Sequence, residues 1–89
     1  MITVHDIATR RVPSEDEDYM SFAIKALVQN GSDDPEVFVT LQGLDSEGFE
    51  IYDMILEGTI PIGASKVLTT KRDYVDKEIF EQIVGWQQK

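Results

Sequence analysis

His5 is the chain's single histidine, and cysteine is absent. One imidazole needs a second group, either a partner to orient it as a base or further ligands to hold a metal. With no thiol to pair with it, His5 reads as a solvated residue at a strand start. The lack of cysteine excludes disulfides, thiolate catalysis and Cys-based zinc or iron–sulfur sites. Ser46 and Ser65 sit in turn sequences and have no base beside them. The six glycines are isolated, and no Gly-Lys-Ser or Gly-Lys-Thr follows any of them, so no phosphate cradle is expected. Carboxylate pairs are plentiful, but no spacing selects one pair for general acid–base work. The sequence points to no enzyme and no cofactor.

The carboxylates fall into two runs. Glu15, Asp16, Glu17 and Asp18 are consecutive, and Asp33, Asp34 and Glu36 form a second group. Ca²⁺ takes 6–8 oxygen ligands, so one alternative reading brings loops 14–18 and 33–36 together at one end of the fold around a calcium ion. Neither run has the alternating spacing of an EF-hand loop. The plainer reading is a pair of solvated loops, because adjacent carboxylates repel and have nothing to bury.

Net charge narrows the partners. Seventeen acidic against eight basic side chains give −9. That balance opposes nucleic-acid binding, which rests on Lys and Arg neutralising phosphates, and disfavours anionic membranes. It suits basic partners. The basic pairs Arg10-Arg11 and Lys71-Arg72 are expected to offset nearby carboxylates on adjacent strands. No run reaches the ~18 apolar residues of a membrane span. The first six residues lack the basic and apolar regions of a signal peptide. If Met1 is the native start, the cytoplasm is expected.

The elements follow from periodicity. A length of 89 residues suits one domain. Ile2, Val4, Ala8 and Val12 mark a weak first strand ended by Pro13. In Tyr19–Gln29, Met20, Phe22, Ile24, Ala26 and Val28 share one face, and only Leu27 breaks the polar face. Asn30 to Pro35 form a turn. In Glu36–Leu44, Val37, Val39 and Leu41 face inward while Phe38, Thr40 and Gln42 face away. Gly43 marks a bulge or a close backbone approach. Asp45-Ser46-Glu47-Gly48 suits a tight turn with glycine at positive φ.

Phe49–Leu56 reads as a fourth strand that is partly apolar on both faces, so it is either covered twice or offered to a partner. Lys66–Tyr74 reads as a fifth. A helical turn over about Asp76–Gln82, N-capped by Asp76, is favoured before a short strand carrying Trp86. A closing strand over 83–88 remains the alternative. Five to seven antiparallel strands in a chain this short point to a small all-β sandwich.

Several segments resemble FxLYD-type domains and related immunoglobulin-like or fibronectin-like modules of bacterial envelope proteins. The likeness runs from Ile24 to about Lys66. It is carried by Val28-Gln29-Asn30-Gly31-Ser32, by Leu44-Asp45-Ser46-Glu47-Gly48 and by Ile60-Pro61-Ile62-Gly63-Ala64-Ser65-Lys66. Asp45 and Gly48 match, whereas Leu44, Gly43 and Leu41 replace the family's tyrosine, leucine and phenylalanine. The resemblance implies an immunoglobulin-like fold, no catalytic residues and, for an excised mature domain, an extracytoplasmic place.

The functional expectation is a non-catalytic module for protein interaction, with Ile51, Tyr52, Met54, Leu56 and Trp86 as candidate contacts. The partner is a protein of unspecified identity. A homo-oligomeric structural unit is a further alternative, with the chain a monomer or a weak homodimer.

Overall fold

The computed structural model describes residues 1–89. In chain order the elements are β1 (Ile2–Val12), β2 (Tyr19–Asn30), β3 (Glu36–Leu44), β4 (Glu50–Thr59), β5 (Ser65–Asp76), α1 (Lys77–Gln82) and β6 (Gly85–Gln88). They build two three-stranded sheets, β1-β2-β5 and β4-β3-β6. Every pairing is antiparallel. The protein is a small all-β sandwich.

β2 anchors the first sheet because its core-facing apolar residues recur at every second position. Met20, Phe22, Ile24, Ala26 and Val28 are all buried, while Tyr19, Lys25 and Gln29 on the opposite face are exposed. Val37, Val39 and Leu41 of β3 meet them from the second sheet, with Met54 and Leu56 of β4 and Leu68 and Val75 of β5. A one-residue slip in β2 would turn this set to solvent, so burial fixes the register.

Two strands depart from the sequence reading. In β1 the pairing shifts between His5 and Ala8, where Asp6 takes φ 56°. Directly opposed residues share a face. Ile2 and Val4 therefore face the core with Asn30 and Val28, and Ile7 packs against it. Beyond the bulge Ala8 and Val12 oppose Lys25 and Ser21, so they lie on the outer face, opposite to Ile2 and Val4.

β4 begins at Glu50 and continues to Thr59, past the expected end at Leu56. Its pattern is one-sided. Met54 and Leu56 are buried, but the opposite face carries Asp53, Ile55 and Glu57, all exposed. The strand is therefore covered once, by the chain's own core.

The turns use the expected chemistry. Asp45 Oδ1 accepts the backbone N–H groups of Glu47 and Phe49, both at 2.9 Å, and Gly48 takes φ 85°. Gly43 proves to be both bulge and close approach. The β3–β4 register shifts beside it, and a Cβ there would lie 3.0 Å from Ile83 Cδ1. Asp76 caps α1 by accepting from the Glu78 N–H at 2.9 Å. The helix carries the chain from β5 in the first sheet to β6 in the second, and β6 pairs with β3.

Candidate functional site

Each sheet has two edges. β1 and β5 flank β2, and β4 and β6 flank β3. On the β1 side the edges are tied, since the Gln88 side-chain amide donates to the Ile2 carbonyl at 3.0 Å. On the other side β4 pairs only with β3 and β5 only with β2. These are the edges of 10 and 12 residues, and no backbone hydrogen bond joins them. They approach where Gly58 packs on Leu68. A Cβ on Gly58 would stand 2.7 Å from Leu68 Cδ2. A groove of about 620 Å³ runs along this side, lined by Phe38, Ile55 and Glu57 of the second sheet and by Thr69, Thr70, Lys71 and Arg72 of β5.

This side is the candidate functional site. An edge strand presents unpaired N–H and C=O groups that can template another strand. Phe38 and Ile55 stand on the outer face of the second sheet and are 66% and 51% exposed. They are diagonal neighbours, because Phe38 opposes Glu57 and Thr40 opposes Ile55. Charge divides between the two edges. β5 carries Lys66, Lys71 and Arg72 along its first two-thirds, and β4 carries Glu50, Asp53 and Glu57.

Two exposed groups have displaced titrations. Asp73 lies below the ordinary carboxylate range, first because Ser21 Oγ donates to it at 2.7 Å and then because Lys71 Nζ stands 3.3 Å away. Lys89 is raised, chiefly by its hydrogen bond to Glu50 at 3.1 Å, with Asp53 contributing from 3.7 Å.

The five partner-contact candidates do not form one surface. Met54 and Leu56 lie in the core at 1% and 0% exposure, so neither can touch a partner. Tyr52 and Trp86 are half-buried. Their rings meet edge-on at 6.1 Å, and both pack on Phe22, at 6.2 and 5.9 Å. Ile51 is the extra residue at the β4 bulge and is half-buried. Phe38 and Ile55 were not on that list. The signal was present, since each alternates away from core residues on its own strand.

The two acidic loops do not converge. Residues 14–18 precede β2 and residues 33–36 follow it. A 12-residue strand separates them by roughly 36 Å at ~3.3 Å per residue, so no single Ca²⁺ ion bridges them. Within each loop carboxylates are used locally. Asp16 Oδ1 accepts the Asp18 and Tyr19 N–H groups, and Asp34 Oδ1 accepts that of Glu36. Glu15, Glu17 and Asp33 are exposed. His5 is exposed on the outer face, opposite Leu27.

The basic pairs divide. Arg11 lies 3.6 Å from Glu81 and Lys71 3.3 Å from Asp73, while Arg10 and Arg72 make no ion pair.

Comparison with known proteins finds no matching family model, no matching curated protein and no matching solved structure.

Proposed function

We propose that this chain is a non-catalytic interaction module of immunoglobulin-like or fibronectin-like type, which binds a protein partner along the β4/β5 side. The observation that carries this reading is the pair of long, unpaired edges flanking one groove, with Phe38 and Ile55 exposed beside it. A partner segment in extended form would satisfy the free backbone groups of an edge and gain specificity from alternate side chains.

The immunoglobulin-like part is supported by connectivity. Strands one, two and five share a sheet, and strands three, four and six share the other. That distribution parallels the A, B, E and C, C′, F strands of such sandwiches. The non-catalytic part is supported by the placement of titratable groups. The loop carboxylates cap their own turns, and the two groups with displaced titrations are both exposed surface partners of an opposite charge or hydroxyl.

The test is a low-salt pull-down with the intact chain as tagged bait, untagged copies of the chain included among the prey, beside a Lys71→Glu/Arg72→Glu bait. Proteins captured by the first and lost by the second are the expected result. Equal capture by both, or capture by neither, would sink the reading.

A further inference from the structure

We infer that the partner for the β4/β5 side is a second copy of this chain, docked about a two-fold axis parallel to the strands. This rests on the interaction-module reading and narrows it to one occupant. Three observations lead to it.

The first is direction. The connections of residues 31–35 and 60–64 are short beside the strands they join, so β3 runs back against β2 and β5 against β4. A two-fold axis parallel to the strands preserves strand direction while exchanging the two sheets. It lays β5 of one copy beside β4 of the other, antiparallel, and does so twice. Both three-stranded sheets then continue across the interface, and all four free edges on this side find partners. The contact is closed, as isologous interfaces are.

The second is charge. Exchanging the sheets sets the Lys66, Lys71 and Arg72 edge against the Glu50, Asp53 and Glu57 edge. The competing two-fold arrangement, with the axis through both sheets, pairs β5 with β5 and β4 with β4. That sets β5, net positive with Lys66, Lys71 and Arg72 against Asp73 and Asp76, beside its copy, and sets the wholly acidic β4 beside its own, and like charges on an edge oppose pairing. The charge pattern therefore rejects like edges and selects unlike ones.

The third is height. Within one copy Gly58 packs against Leu68. Counting from that contact along strands that run in opposite directions brings Lys71 level with Ile55. The same height holds between copies under this axis. Lys71 then lies on the outer face of the continued sheet between Asp53 and Glu57 of the second copy. All four side chains are on outer faces: Lys71 opposes Ala23, and Asp53 and Ile55 oppose Gln42 and Thr40. The stem of Lys71 covers exposed Ile55, in the way long cationic side chains cover apolar surface. Asp73 stays tied to Ser21 and Lys71 of its own copy.

Sedimentation equilibrium on the intact chain tests this, with circular dichroism confirming that each variant folds. At about 1 mM protein and about 0.15 M salt, where the repulsion between two copies of charge −9 is largely screened, the expected mass is twice 10.1 kDa. Lys71→Glu/Arg72→Glu alone and Asp53→Lys/Glu57→Lys alone are expected to be monomers. A 1:1 mixture of the two is expected to recover the dimer, since every unlike edge is again opposite in charge. A monomer at all concentrations overturns the inference, as does an open series of larger species. If the monomer still captures proteins through Lys71 and Arg72, only this inference fails. If it captures nothing, the module reading fails with it.

Discussion

Asn30 belongs to a turn by composition and to the core by position. It is 0% exposed. Its Nδ2 donates to the Asp34 and Ile60 carbonyls at 2.8 Å each, and its Oδ1 accepts the Ser32 N–H at 3.0 Å and the Ser32 hydroxyl. One side chain thus joins the turn after β2 to the end of β4. Replacement by alanine takes the Asn30 donor from the buried Ile60 carbonyl, while Asp34 keeps the Ser32 hydroxyl, at a cost of about 1–3 kcal/mol; urea denaturation of Asn30→Ala measures it. Asn30→Asp should be at least as damaging at neutral pH, because a carboxylate would face two carbonyl oxygens.

Asp73 gives a prediction in pH. Its carboxyl is held low by Ser21 and Lys71 in the folded chain. A depressed folded value stabilises the fold above the unfolded value, and that stabilisation is lost as pH falls through the folded value. Ser21→Ala removes the larger cause. The Asp73 titration, followed by carboxyl NMR, should move up towards the ordinary range.

At the scale of elements, β6 closes the aromatic end of the core. The Phe80 and Trp86 rings lie 4.9 and 5.9 Å from that of Phe22, and Arg11 sits 5.7 Å over the Phe80 ring. On the inner face of the second sheet Gly43 lies between Tyr52 and Trp86, and the Ile83 side chain packs where a Cβ would stand. Trp86→Ala should cost about 2–4 kcal/mol and remove a native fluorescence that shifts red on unfolding. Gly43→Val should disrupt the same end, because a branched side chain would press on Ile83. A variant as stable as the native chain would show that the β3–β6 contact contributes little.

At the scale of the molecule, charge is uneven. β1, β2 and β5 hold six of the eight cations, while β3 and β4 hold only carboxylates among their charged side chains. The two acidic loops cap opposite ends of β2. The whole chain carries −9, so self-repulsion works against compactness. In dilute solution, where the chain is monomeric, raising NaCl from about 10 to about 300 mM should raise the thermal midpoint by screening that repulsion. A midpoint that falls would locate the dominant electrostatics in attractive pairs such as Lys89 with Glu50.

β2 was legible in the sequence because five alternating apolar residues permit a single register. The Asp45–Gly48 turn and the Asp76 cap were legible because each is local: the side chain that accepts and the N–H that donates lie within four residues. Even the separation of the acidic loops was implied once β2 was assigned between them. β4 was not legible, because Ile51, Tyr52, Met54, Ile55 and Leu56 are all apolar and no local rule says which meet a core from another sheet. The strand β1 was legible but its faces were not, because a bulge at Asp6 exchanges them and one extra residue leaves no mark on composition.

Strands, turns and charge follow from local residue order, because alternation, capping and side-chain ionisation each act over a few positions. Which strand ends a sheet follows from packing between distant segments. An edge is the absence of a neighbour, which no residue encodes alone, and it is this that places β4 beside β5 with both left open.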